Sequence, residues 1–354
     1  MPNDPPPIRV LMLIPSFVKR GIEDDVAADR HPTMDYYQLA NTLRAHGCKV
    51  ELMDYSSLGS GRLGLKDLRL AWLGFANRRK YDAVFCNSES IALPLGVLLR
   101  SDSRRPRVIA IGHRISSPKK RFFFSRLAAA DGIDVLFLYA TAQVRYAADV
   151  LGLAPAKTPL IAFHADCRFF RPIDEISAVP RERKRVGAAG LEWRDYPTLL
   201  EVARQMPDTD FYLAAASPWS KHKNETSDAT IPANVTVGRL DYNALRTMYL
   251  TSDCVAVPLY ETDFQAGVTT ILEAMACGRP VIVTRTTGQS DVVQDGENGL
   301  YVPAGDVAAL RSSIERVLDD GSLASALSVS AQNWVQTHAS LELWSEIIVK
   351  RICK

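Results

Sequence analysis

The sequence lacks any close cysteine pair: Cys48, Cys86, Cys167, Cys254, Cys277 and Cys353 are scattered, and no CxxC spacing occurs. That pattern argues against a disulfide frame or a zinc knuckle, and a reduced, cytoplasmic chain is expected. No apolar run approaches the ~20 residues of a membrane span, and "MPNDPPPIRV" has no signal-peptide core. Internal repeats and low-complexity segments are also missing, which argues against solenoids and disordered tails. What remains is ordinary globular composition, 47% apolar and 23% charged,. The 354 residues exceed the usual size of a single core, so two domains are expected.

The net charge of +2 hides an asymmetry. Residues 1–150 carry 22 Lys and Arg against 15 Asp and Glu, and the remainder carries 20 against 25. Nine of the cations fall in 100–126, opposed only by Asp102. Within that stretch, "PKKRFFFSR" sets Lys119, Lys120, Arg121 and Arg126 among three phenylalanines. An exposed basic face is the plain interpretation. A peripheral contact with anionic membrane, on the inner face, is the functional one, and nucleic acid is not an expected partner.

Strand-like runs at 9–15, 49–55, 82–86, 107–112, 133–139 and 160–163 alternate with helical patterns such as 33–46 and 141–151. Alternation of this kind implies a doubly wound parallel sheet. The charged stretch 167–185 looks like a linker, after which the alternation restarts with "RVGAAG", a helix over 195–206, "FYLAAA", a helix over 241–251 and "CVAVPL". Then come "PVIVT", a hairpin-like "DGENGLYV" and helices over 306–318, 322–337 and 340–353. The expected architecture is α/β, two doubly wound Rossmann-like domains facing a cleft. Their bounds are expected at 1–170 and 171–338, with a terminal helix, 339–354, packing back on the first. Ligands in such sheets bind beyond the carboxyl ends of the strands.

Two motif matches carry little. "GSGRLG" at 59–64 satisfies GxGxxG, the fingerprint of an NAD-linked oxidoreductase,. It follows the second strand instead of the first, and no acid stands at a strand end about twenty positions on. "DTD" at 208–210 lies between a helix and a strand, where acids cap turns, and no metal site is expected there.

Residues 263–282, "DFQAGVTTILEAMACGRPVI", say more. Val268, Ile271, Leu272, Met275 and Ala276 recur at helical spacing, Gly278 and Pro280 stop the helix, and Glu273 lies off the apolar stripe,. The surrounding segment 253–310 resembles the donor-binding half of the retaining glycosyltransferases with the two-domain GT-B fold. These are the family that includes glycogen and sucrose synthases and many bacterial sugar transferases. The resemblance lies in Glu-Ala-Met-Ala-x-Gly-x-Pro-Val, the Thr-rich loop after it and "DGENGLYVPAGDVAAL". It extends more weakly to "GLEWRDYPTLLEVA", "PLIAFHADCRFFRP" and "VIAIGH".

The residues support such a site on physical grounds. The turn 265–269 offers free backbone N–H groups at the positive end of a helix, with Gly267 allowing close approach. A diphosphate on Gly267, Val268 and Thr269 would leave Glu273 pointing back along the ligand, suited to a ribose diol. The resemblance implies further roles. Arg194 stands where the family has a phosphate-neutralising lysine, while Ala188 and Ala189 replace its upstream arginine. Gln265 stands where the family has an acid beside the donor sugar, and His113 matches the histidine that meets that sugar. A metal-independent retaining transfer from a nucleotide-sugar to an acceptor hydroxyl follows, with no further cofactor. A non-catalytic binding subunit, motivated by Gln265, is the main alternative, and a sugar-nucleotide epimerase is a further one.

Overall fold

The computed structural model describes residues 6–58, 65–177, 180–215 and 231–354. The GxGxxG match at 59–64 lies outside them. The chain divides into two compact units, one of residues 1–22, 33–161 and 342–354, the other of 23–32 and 162–341.

In the first unit, β1 (Arg9–Leu13), β2 (Lys49–Met53), β3 (Ala83–Cys86), β4 (Arg107–Gly112) and β5 (Val135–Leu138) form a parallel sheet in the order β2-β1-β3-β4-β5. Strands β3 and β5 are buried throughout, as expected of parallel strands covered on both faces. Crossover helices include Asp35–Ala45, Lys66–Asn77 and Glu89–Leu99, and the helix Thr141–Asp149 follows the last strand. Residues of the helix Leu341–Ile352 close one face of this unit. Buried Trp344 donates its indole N–H to Tyr139 Oη at 3.1 Å, and Ser345 Oγ lies 3.0 Å from Thr42 Oγ1.

The second unit holds β6 (Lys184–Ala189), β7 (Thr209–Ala214), β8 (Val235–Val237), β9 (Cys254–Val257), β10 (Val281–Thr284) and β11 (Leu300–Val302). They too are parallel, ordered β11-β10-β9-β6-β7-β8. Aspartates cap several of its helices: Asp195, Asp241, Asp306 and Asp320 each accept from a first-turn N–H,. The strand order reverses between β6 and β9, so the loops leaving these two strands frame the expected ligand position.

Three local expectations fail. Residues 160–163 make only a single bridge, Leu138 to Leu160, because the chain leaves the sheet there. The segment "DGENGLYV" is no hairpin; its last residues form β11, parallel to β10. The supposed linker carries Phe169 and Phe170, both buried in the core of the second unit. Two rings outweigh the flanking charges. Residues 23–32 also fold with this unit: Asp29 pairs with Arg171 at 3.0 Å and Arg246 at 2.9 Å. Asp210 of "DTD" pairs with Arg183 at 3.3 Å on the surface.

Candidate functional site

The loop after β6 carries the first site residue. Residues 190–195 turn back along the loop after β9. Arg194 bridges Leu259 in antiparallel fashion, Tyr260 N–H donates to Trp193 O, and Asp195 N–H donates to Pro258 O. Trp193 takes a left-handed backbone, φ 59°, uncommon for a bulky residue and a mark of a constrained loop. The result drives the Arg194 side chain inward, where it is only 6% exposed.

The Arg194 guanidinium is held without a carboxylate. Its Nε donates to Ala189 O at 2.8 Å, Nη1 to Glu192 O at 3.0 Å and Nη2 to Thr270 Oγ1 at 3.1 Å. No ion pair to it occurs among the described residues. Three of its five N–H groups are used, and two remain available. Burial lowers its pKa from the usual 12.5 because the cation is removed from water, and Tyr196, Tyr249 and Glu192 oppose that fall only in part,. Gly190 makes the approach possible: a Cβ there would lie 2.4 Å from Arg194 Nη2, and its φ is +96°.

Thr270 belongs to the helix Val268–Ala276, which enters from the loop after β9. Its N-cap, Gly267, has φ +78°, and no side chain caps the first turn. Uncapped N–H groups at a helix start bind anions, and here the buried cation bonds to that same turn. Val268 is buried and Thr269 exposed, so Val268 offers a ligand only its backbone N–H there.

The stripe inferred from sequence is too narrow, since every residue of this helix except Thr269 is buried. Glu273 therefore lies inside, its Oε2 accepting from Tyr249 Oη at 2.9 Å. Burial pushes its carboxyl up to about 8, a rise that the Tyr249 bond partly opposes. Burial, then Glu273, also raises the Tyr249 phenol well above its usual range. Arg194, Thr270, Tyr249 and Glu273 thus line one side of the helix. Tyr249 lies 24 positions from its partner, so no local spacing in the sequence marks it.

Gln265 is buried in the preceding loop, and its Oε1 has no hydrogen-bond partner. The same holds for Thr262 Oγ1 and for Gln289 Oε1 of the Thr-rich loop. Gln289 Nε2 ties that loop to the helix entry through Ala266 O at 3.0 Å. Three orphaned acceptors in two adjoining loops cost roughly 1–3 kcal/mol each unless something donates to them. No sequence signal marked Thr262 or Gln289.

His113 lies in the other unit, directly after β4, with its side chain half exposed. Its N–H and Nδ1 face Glu89 Oε2 at 3.1 and 3.3 Å. Glu89 is buried at the start of its helix and also binds Arg114 N–H and Lys120 Nζ. Burial alone would push its carboxyl up, but His113 and Lys120 hold it well below the usual range. A carboxylate facing Nδ1 holds a ring proton on that nitrogen and orients the imidazole,. This pairing corrects the basic patch: Lys120 is turned inward on Glu89, while Lys119, Arg121, Phe122 and Arg126 are exposed.

Among the described residues no group of three or more His, Cys, Asp or Glu is arranged to hold a metal, and no helix is long and apolar enough to cross a membrane.

Residues 193–334 match the family model for glycosyl transferases group 1. The chain is 28% identical over 142 residues to a GDP-mannose-dependent alpha-(1-6)-phosphatidylinositol monomannoside mannosyltransferase of Mycolicibacterium smegmatis. That match covers 38% of this chain and 37% of the relative. It is 36% identical over 98 residues to a D-inositol 3-phosphate glycosyltransferase of Corynebacterium jeikeium, covering 27% and 22%. The chain thus spans little more than a third of the first curated relative and less than a quarter of the second. Among solved structures, sucrose-phosphate synthase from Thermosynechococcus elongatus superposes with TM-score 0.76 at 18% identity, covering 97% of this chain and 98% of that one. Anabaena HepE, in complex with UDP and glucose, gives 0.72 at 17%, covering 98% and 100%. The chain therefore has the two-unit α/β fold of the GT-B glycosyltransferases, and within it residues 193–334 are similar to the glycosyl transferases group 1 family.

Proposed function

We propose that the chain is a retaining glycosyltransferase that moves a sugar from a nucleotide-sugar to an acceptor hydroxyl. One observation carries this: the buried Arg194 guanidinium, without a carboxylate, bonded to the first turn of an uncapped helix. A diphosphate supplies the missing negative charge there, on the N–H groups of Val268 and Thr269, with Gly267 leaving room. Glu273 takes the ribose hydroxyls. Gln265, with Thr262 and Gln289, takes hydroxyls of the sugar through oxygens that otherwise have no donor.

As the anomeric carbon–oxygen bond breaks, negative charge grows on the diphosphate, and Arg194 and the helix start stabilise it. The positive charge comes from these groups, so no metal is assigned to the step. The acceptor oxygen bonds to the anomeric carbon on the face the diphosphate leaves, and a phosphate oxygen takes its proton. His113 Nε2 serves as a hydroxyl partner, with Glu89 as its positioning residue. Exposed Lys119, Arg121, Phe122 and Arg126 form a surface for anionic lipid at the cytoplasmic face,. Co-sedimentation with anionic vesicles at low salt is the expected outcome, and no binding there rejects that surface.

Gln265 favours one other reading, a subunit that binds donors without turnover, because an amide lacks the charge that steadies an oxocarbenium ion. One of the named relatives uses GDP-mannose and one solved neighbour holds UDP and glucose, so the donor panel must span bases. Nucleotide release from UDP-, GDP- and ADP-sugars is measured for wild type and Glu273→Ala. Release from one donor, lost in the variant, supports the transferase. Stabilisation by a bare diphosphate without release supports the binding subunit, and neither effect rejects both.

A further inference from the structure

Cys48 and Cys353 bring their sulfurs to 3.6 Å although 305 positions separate them. Both belong to the first unit. Cys48 is buried in the turn before β2; Cys353 is exposed, one residue beyond the helix Leu341–Ile352. Their backbones are anchored, Cys48 N–H on Leu43 O at 3.0 Å and Cys353 N–H on Val349 O at 2.9 Å. A disulfide bond is about 2.05 Å long, so roughly 1.5 Å of approach joins the two sulfurs.

We infer that Cys48 and Cys353 form a redox-sensitive clasp that fastens the helix Leu341–Ile352 to the first unit, with a small-molecule disulfide such as oxidised glutathione as the oxidant. Exposure assigns the order of events. The Cys353 thiolate attacks one sulfur of oxidised glutathione, and one glutathione thiolate leaves with the electron pair. The Cys48 thiolate then attacks Cys353 Sγ and expels the second glutathione thiolate. Two protein thiols are oxidised, one disulfide is reduced, and the two protons pass to the released thiolates. Burial, then the neighbouring Cys353, pushes Cys48 up to about 11, which keeps it inert until a partner disulfide stands against it.

The helix is already docked through Trp344 and Ser345, so the bond locks an existing packing and requires no new one. Closing so long a loop restricts the unfolded chain, and the oxidised protein should melt at a higher temperature.

The full chain, reduced and then treated with oxidised glutathione, is mapped by non-reducing peptide mass spectrometry and melted with and without dithiothreitol. The expected result is a joined Cys48–Cys353 peptide pair, lighter by two hydrogens than the free peptides, with a rise in melting temperature that dithiothreitol reverses. Cys353→Ser, a change at an exposed position, should melt like the reduced wild type and show no rise. Cys48→Ala should leave glutathione stranded on Cys353. Glutathione persisting on wild-type Cys353, a Cys353 link between two chains, or a joined pair with no rise in melting temperature would each overturn the clasp.

Discussion

Replacing Glu273 by glutamine should stabilise the protein at neutral and alkaline pH while weakening its hold on nucleotide. The carboxyl is buried against Tyr249 and pushed up from 4.5 to about 8. Below about pH 4.5 it is protonated in both folded and unfolded chains and contributes nothing to the pH dependence. Between about 4.5 and 8 the unfolded chain releases the proton while the folded chain keeps it, so stability falls as pH rises. Above about 8 both states are ionised and the loss levels off. At ~1.4 kcal/mol per pH unit, the full loss is bounded at roughly 5 kcal/mol. Glutamine matches the protonated acid in shape, still accepts from Tyr249, and does not titrate. Denaturant midpoints of both proteins from about pH 5 to about pH 9 measure the difference directly. Wild type should lose stability across that range and Glu273→Gln should lose far less, the curves diverging towards high pH. Parallel curves would refute the buried, protonated state of Glu273. Above about pH 8, where the carboxyl is ionised, the same change removes a charged acceptor of ribose hydroxyls, worth about 1.5–3 kcal/mol, so nucleotide affinity there should fall roughly tenfold to a hundredfold.

Gly190→Ala places a methyl 2.4 Å from Arg194 Nη2 at a backbone φ of +96°. It should cost about 1–3 kcal/mol of stability and displace the guanidinium, seen as a weaker Kd for nucleoside diphosphate; an unchanged Kd would separate Arg194 from the anion site. Tyr249→Phe leaves Glu273 without its donor, so the donor KM should rise more than kcat falls, and the rise of nucleotide affinity with pH should move to higher pH. An unaltered pH profile would show that the phenol does not set the state of Glu273. Glu89→Gln breaks a buried carboxylate's pairing with His113 and Lys120, and should lower stability by about 3–5 kcal/mol, read as a denaturant midpoint; a midpoint within error of wild type would contradict the pairing.

Long apolar runs made most strands legible. Strands β3, β4 and β9 are near-continuous hydrophobic segments because both faces are covered,. Strand β8, Val235–Val237, is only three residues at a sheet edge and leaves no period to read. The segment 160–163 had strand composition but found only one bridging partner. In the site, Gln265, Gly267 and Glu273 were legible because they sit in one contiguous motif, and Arg194 because it follows a strand–turn of recognisable form. Tyr249, Thr270 and Gln289 act through contacts that only folding creates. Glu89 reads in sequence as an acid favoured by the helix start; its grip on His113 depends on two strands lying side by side. The inward turn of Lys120 is hidden from the sequence for the same reason, since spacing along a helix does not reveal a buried carboxylate from a neighbouring element.

The most direct test of the central claim is a crystal structure with the nucleoside diphosphate that stabilises the protein best. The expected result is phosphate oxygens within hydrogen-bond distance of Arg194 and of the backbone N–H groups of Val268 or Thr269, with the ribose on Glu273. Nucleotide bound elsewhere, or at this helix with Arg194 still bonded only to Ala189, Glu192 and Thr270, would contradict it.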